Sequence, residues 1–262
     1  MTSPGRATIR ATVCGSSCSI PRPGRACSAY LMEVDAAVFV VDLGSGAFAN
    51  VIKHRAAEAL DGVVITHMHA DHFLDVIPLR YALKYGNRSN GKRLALYLPP
   101  GGEPMLRRLV AAFAPEAGDD FLGDVYDVRT FEPSRALRIG AATLTFAPTA
   151  HYIPTFAVRC AVGTASIVYS SDTAPSLGVT RLAKSADAFL CEATLTRQEE
   201  ADTPRGHCSA REAAEMAAHA EVDRLVLTHY PATIAPAELA AQARARFSGP
   251  IDIADDGYTL KV

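Results

Sequence analysis

Apolar and polar positions alternate over residues 7–13, as in a strand with one face on a core. The apolar runs Ala29–Val34 and 37–42, parted by Asp35-Ala36, predict two further strands. Helical spacing follows over residues 48–60. Gly62-Val63-Val64-Ile65-Thr66 is β-branched and reads as a buried strand, and helical periodicity resumes from Asp71 to Tyr85, broken by Asn87-Arg88-Ser89-Asn90-Gly91. A strand at Leu94–Leu98, a turn at Pro99-Pro100-Gly101-Gly102, a helix over 104–113 and an acidic loop over 115–124 come next. The pattern then shifts to short strands at 125–131, 136–139, 142–146, Phe156–Val162 and 166–169. Strands and helices alternate again through 188–191, 209–220, 224–228 and 236–247, with a closing pair of strands near Ile251 and Tyr258. The order of strands then helices occurs in each half. That predicts an α/β fold of two similar halves, sheets facing and helices outside. No repeat or low-complexity linker divides the chain, so residues 1–262 are expected to form a single domain.

Where the strand at 62–66 gives way to a helix stands Thr66-His67-Met68-His69-Ala70-Asp71-His72. Neutral imidazoles and a carboxylate at such a turn can converge on one or two metal ions. His67 and His69 can reach one ion; Asp71 and His72 point elsewhere, toward a second. Only eight histidines occur in the chain, which argues against a chance surface cluster.

The remaining composition narrows the classes. The chain is 49% hydrophobic and 21% charged, ordinary for a globular protein. Its net charge of −2 gives no basic surplus for non-specific nucleic-acid binding. No apolar run has the length of a signal-peptide core or a membrane span, so no membrane partner is expected. Cys14, Cys18, Cys27, Cys160, Cys191 and Cys208 form no C-x-x-C pair and read as small buried thiols of a cytoplasmic protein.

Further residues have the right chemistry and placement. His151, Asp172 and His229 each follow an apolar strand, where ligand sites of layered α/β folds gather. Glu192 follows another strand, and His207 precedes a helix that Ser209 can cap. A histidine there, oriented by a carboxylate, can protonate a leaving group; the alternative is a structural cap with an incidental histidine. Asp42 is either a partner of a metal-binding histidine or a turn-former. The small-residue loop over 15–25, with Arg22 and Arg25, is either a phosphate cradle or a surface turn.

His67-x-His69-x-Asp71-His72, then His151, Asp172 and His229, in this order and spanning nearly the whole chain, resemble the metallo-β-lactamase superfamily. The resemblance implies an αβ/βα four-layer sandwich with a dinuclear metal site at one edge. It also implies that His67, His69 and His151 hold one ion, that Asp71, His72 and His229 hold the other, and that Asp172 bridges them. Gly15-Ser16-Ser17, Ser170-Ser171-Asp172-Thr173, residues 186–194 around Glu192, and His207-Cys208-Ser209 are similar to the ribonuclease Z-like phosphodiesterase branch, where the extra histidine and glutamate assist cleavage. Two features depart from the tRNA-processing members. No insertion matches their long RNA-gripping arm, and Tyr230-Pro231-Ala232 follows His229 in place of a Ser-Arg-Tyr type continuation. In this the chain looks closer to small relatives resembling actinobacterial cyclic-nucleotide phosphodiesterases.

The implied activity is hydrolysis of a small phosphodiester, a cyclic nucleotide among the candidates, with RNA a less favoured partner. Two divalent cations would lower the pKa of a shared water to give hydroxide near neutral pH and stabilise charge on phosphoryl oxygens. Zinc is the first choice for a histidine-rich set, with manganese or iron as alternatives. Asp71 would orient the hydroxide, and His207, held by Glu192, would protonate the departing oxygen. The rivals are a ribonuclease Z-type tRNA 3′-end endonuclease, an ester, thioester or lactam hydrolase, and a metal-binding scaffold without turnover. The acyl hydrolases have no need of the His207–Glu192 pair, and the complete ligand set speaks against a scaffold. A homodimer is expected by family analogy alone.

Overall fold

A computed structural model of the chain describes residues 7–86, 91–115, 120–196 and 205–262. The first sheet contains β1 (Ile9–Gly15), β2 (Ala29–Val34), β3 (Ala37–Leu43), β4 (Gly62–Val64), β5 (Leu94–Leu98) and β6 (Tyr126–Thr130), with β14 (Thr259–Lys261) added beside β1. The second contains β7 (Leu137–Ile139), β8 (Ala142–Pro148), β9 (Phe156–Val162), β10 (Ala165–Tyr169), β11 (Ala188–Glu192), β12 (Leu225–Thr228) and β13 (Ile251–Ile253), side by side in that order. Each sheet has the same plan. Antiparallel pairing runs from β14 through β1 and β2 to β3, and parallel pairing continues to β6. Likewise β7 to β10 are antiparallel, and β10 to β13 parallel. The two similar halves read from the element order are these.

Strand periodicity divides the core into layers. On β3, Phe39 and Val41 enter a cluster shared by both sheets, whereas Val40 and Leu43 point to the opposite face. On β11, Ala188 and Leu190 face that shared cluster, whereas Phe189 and Cys191 face outward. Strands buried on both faces read as continuous apolar runs, which is why alternation is faint in the sequence here. Outside the first sheet lie α1 (Phe48–His54), α3 (Val76–Tyr85) and α4 (Gly102–Phe113), contributing Val51, Leu79 and Leu106 to its outer core. Outside the second lie α6 (Leu177–Leu182), α7 (Ala210–Ala220) and α8 (Pro236–Arg244), contributing Val179, Ala213 and Leu239. The layers are thus α/β/β/α, as expected.

Several elements differ from the sequence reading. The helix expected over 48–60 ends at His54 and is followed by a 3-10 turn at Ala57–Ala59. The helix expected from Asp71 to Tyr85 is two: α2 (Ala70–Phe73) and α3. The break comes at Asp75, whose N–H donates to Leu43 O (3.0 Å) and whose carboxylate accepts from Phe48 N (2.8 Å), so it caps α1 instead of facing water. The closing strands do not pair with each other: β13 joins β12 and β14 joins β1. α6 is short and begins in Pro175-Ser176-Leu177-Gly178, a stretch with no helical period, where the Ser176 side chain accepts from Val179 N. A one-turn helix, α5 (Asp120–Gly123), lies in the expected acidic loop. Residues 1–6, 87–90 of the expected helix break and 116–119 of that loop lie outside the described residues.

Candidate metal centre and active site

The residues selected from the sequence converge where strands of both sheets end. β4 leads into His67 and His69, and α2 carries Asp71 and His72. β8 leads to His151, β10 to Asp172 and β12 to His229, while Glu192 closes β11. The ends of β10 and β12, and that of β3, turn through left-handed backbone at residues other than glycine: Ser171 (φ 51°), His229 (φ 50°) and Asp42 (φ 56°). Such a conformation costs about 1–2 kcal/mol per residue and persists only where surrounding contacts impose it. β3 and β10 hold equivalent places in their sheets, and both turn at such a residue. Gly44, just beyond Asp42, lets this turn touch α2, since a Cβ there would lie 1.8 Å from the Asp71 carbonyl oxygen.

Three groups of donor atoms result among the described residues: Glu192, His207 and His229 form one, and the other two share Asp172. His67, His69, His151 and Asp172 bring ligand atoms within 4.8 Å of one another, and so do Asp71, His72, Asp172 and His229. Asp172 belongs to both, and its two oxygens divide between them. Oδ2 lies 3.7 Å from His67 Nε2 and 3.8 Å from His151 Nε2. Oδ1 lies 3.3 Å from His72 Nε2 and 3.4 Å from His229 Nε2. In the first group His151 Nε2 and His69 Nδ1 face each other at 3.0 Å. In the second, His229 Nε2 is 3.4 Å from Asp71 Oδ2.

Hydrogen bonds behind the rings decide which nitrogen is bare. Asp42 accepts from His72 Nδ1 (2.7 Å), Thr66 N (2.7 Å) and Thr66 Oγ1 (2.9 Å). With its proton committed to Asp42, the Thr66 hydroxyl can only accept, and it lies 3.2 Å from His67 Nδ1. Thr194 Oγ1 gives its proton to His229 O (3.0 Å) and therefore accepts from His229 Nδ1 (2.9 Å). His151 Nδ1 donates to the Gly206 carbonyl (2.7 Å). In each of these four histidines Nε2 is left for the cluster, the arrangement that orients imidazoles on metals.

The residues fit a dinuclear metal centre. His67 Nε2 and Asp172 Oδ1 are buried and have no hydrogen-bond partner, and an unmet buried polar atom costs about 1–3 kcal/mol. Burial lowers the pKa of His69 and His151, and burial with the neighbouring His72 holds His67 well below its ordinary value. These rings stay neutral, the state that binds a cation. Around His72 burial opposes charge, yet Asp172 and Asp42 outweigh it and hold a proton there. Burial also opposes ionisation of Asp71, but the His229 hydrogen bond and the charge of His72 keep its carboxyl at about 2. The second group therefore demands positive charge, which a divalent cation meets.

His207 stands beside both groups. Its ring is edge-on to His151 (4.9 Å between centroids) and stacked with His229 (6.0 Å). Its Nδ1 donates to Glu192 Oε1 (3.0 Å). Glu192 is fully buried, and Oε1 also accepts from Thr173 N (2.6 Å). Burial disfavours the imidazolium, but the hydrogen bond and charge of Glu192 prevail and raise the His207 pKa to about 9.

The 15–25 loop is not a phosphate cradle. Its anion is the chain's own: Asp256 accepts from Ser16 N (3.0 Å) and Ala26 N (2.8 Å). Arg22 and Arg25 both pair with Asp255, at 2.8 and 3.1 Å. Asp42 is both a turn-former and a histidine partner. Thr66, Ser171 and Thr194 lie within the motifs read from the sequence, but their hydrogen bonds to the site, like that of the Gly206 carbonyl, come from the structure. Thr66 adjoins His67 and Ser171 adjoins Asp172, a sequence signal for a supporting hydroxyl, whereas a backbone carbonyl carries none.

Two facing mixed sheets flanked by helices, with imidazoles and carboxylates gathered at their strand ends, define a metallo-hydrolase. The chain belongs to the β-lactamase superfamily, whose domain matches residues 39–230, a span holding every site residue from Asp42 to His229. It is similar to an uncharacterised protein of Mycobacterium leprae (strain TN), 34% identical over 259 residues, covering 97% of this chain and 89% of that one. Ribonuclease Z of Haloferax volcanii is 28% identical over 304 residues, covering 97% and 95% of the two chains. The crystal structure of the metallo-β-lactamase fold protein YhfI from Bacillus subtilis matches with a TM-score of 0.86 at 26% identity, covering 97% of this chain and all 100% of that one.

Proposed function

We propose that the protein is a phosphodiesterase that hydrolyses a small phosphodiester, with cyclic nucleotides the leading class. The observation that carries this reading is the His207–Glu192 pair, set 3.0 Å apart beside both donor groups but outside the two sets that share Asp172. Divalent cations, zinc first, would be held by His67, His69, His151, Asp71, His72, His229 and the shared Asp172, and when bound they supply a nucleophile at neutral pH and charge facing the phosphoryl oxygens. Asp71 orients the attacking water. His207 keeps Nδ1 on Glu192 and gives its Nε2 proton to the departing oxygen as the P–O bond breaks. Glu192 stabilises the imidazolium until that transfer. A net charge of −2, with Arg22 and Arg25 engaged by Asp255, supports a small substrate over a polyanion.

The test compares leaving groups. Loss of a general acid lowers kcat by about 10²–10⁴-fold when the leaving oxygen needs a proton. A ribose alkoxide needs one and a nitrophenolate scarcely does. His207→Ala should therefore be far worse on a cyclic nucleotide than on bis-p-nitrophenyl phosphate, with metal content unchanged. Equal loss on both substrates would refute the general-acid role. The likeness to a ribonuclease Z favours a second reading, RNA cleavage. Site-specific cutting of precursor tRNA at moderate salt, more efficient than cyclic-nucleotide hydrolysis, would establish it instead.

A further inference from the structure

We infer that the ring of Tyr152 is a stacking platform for the base of a nucleotide substrate, on the side of the ribose oxygen that departs; this rests on the phosphodiester reading above. Tyr152 directly follows His151 and is 62% exposed. Its ring centroid lies 5.0 Å from that of His151 and 5.9 Å from that of His207. Of the exposed large hydrophobic side chains among the described residues, it is the one in ring contact with the site histidines.

A single exposed aromatic is common and by itself means nothing. This one lies against Gly206 and two site histidines. A Cβ on Gly206 would meet Tyr152 Cε2 at 2.6 Å and His151 Nδ1 at 2.7 Å, so the absence of a side chain at 206 is what lets the ring lie against that backbone. The Gly206 carbonyl in turn accepts from His151 Nδ1. One edge of the ring thus lies against Gly206 and it is in ring contact with two imidazoles, while most of it faces solvent beside the site. A flat aromatic surface beside the site suits a planar base, because stacking needs no hydrogen-bond match and tolerates any base. His207 protonates the departing oxygen, so a base carried by the same ribose falls on the Tyr152 side.

The test is direct binding by calorimetry, with the metal-loaded protein and two probes, AMP and ribose 5-phosphate. They share phosphate and ribose and differ in the base. The native protein should hold AMP roughly 5- to 150-fold more tightly, the span a stacked base contributes. Tyr152→Ala and Tyr152→Leu should lose this margin while ribose 5-phosphate binding stays as it was, and Tyr152→Phe should keep it. Equal weakening of both probes in Tyr152→Ala would mean that the ring only supports the histidines and would overturn the inference. So would a margin that survives the change, or a native protein that binds the two probes alike. If the native protein binds neither probe, the nucleotide class and this inference fall together, while the phosphodiester reading is decided separately by the leaving-group comparison above.

Discussion

Asp42 Oδ2 lies 2.7 Å from His72 Nδ1, both residues are fully buried, and the same carboxylate accepts both protons of Thr66. Through His72 it sets a tautomer in one donor group, and through the Thr66 hydroxyl it sets that of His67 in the other. A carboxylate outside both groups thereby orients an imidazole in each.

Asp42→Asn keeps an acceptor for Thr66 N but can present N–H groups where His72 and the Thr66 hydroxyl need an acceptor. Metal affinity should fall by about 10–100-fold, the usual cost of losing such a partner, with the fold retained. Titration of the metal-free variant with zinc, followed by calorimetry, checks this. Unchanged affinity at both sites would show that Asp42 serves the turn alone.

Asp172 and Asp75 separate metal binding from folding. Asp172→Ala removes the oxygens facing both groups and should lose activity and metal together, by elemental analysis. Asp75→Ala removes the acceptor of Phe48 N and should lower the urea-unfolding free energy by about 1 kcal/mol, as loss of a helix cap does, with metal content intact. Equal metal loss in both variants would mean that the shared carboxylate is misassigned.

Asp255 predicts a pH dependence of stability. Burial pushes its carboxyl up, but hydrogen bonds from Arg25, Arg22 and Tyr230 prevail and hold it at about 2, against an ordinary 3.8. Its pKa is depressed in the folded state, so its contribution is present above the ordinary value and fades as pH falls through that value toward about 2. Asp255→Asn should be less stable than the native protein at pH 7, and the gap should narrow between pH 4 and 2. Thermal unfolding across that range decides it; a gap constant with pH would show that the ion pairs contribute nothing.

The layered α/β plan and the residues of the two candidate donor groups were legible along the chain. Apolar runs mark buried strands because burial on both faces leaves no polar alternation, and His67, His69, Asp71 and His72 declare themselves because one strand–helix junction holds them all. His151, Asp172 and His229 were legible for the same local reason, each just past an apolar strand. What the tertiary structure alone decided depends on which strand ends meet in space. Thr66 and Ser171, 105 positions apart, share a 2.7 Å hydrogen bond only because the two sheets face each other. The 15–25 loop has the composition of an anion cradle, but whether its anion is a ligand or Asp256 depended on where β14 brings the C-terminal segment. Asp75 falls inside the helix expected from Asp71 to Tyr85, and it became the cap of α1 because the chain folds back past Leu43. Dihedral preference and hydrophobic period are local and can be read along the chain; the partner that satisfies a buried polar atom is set by packing, and no local pattern encodes it.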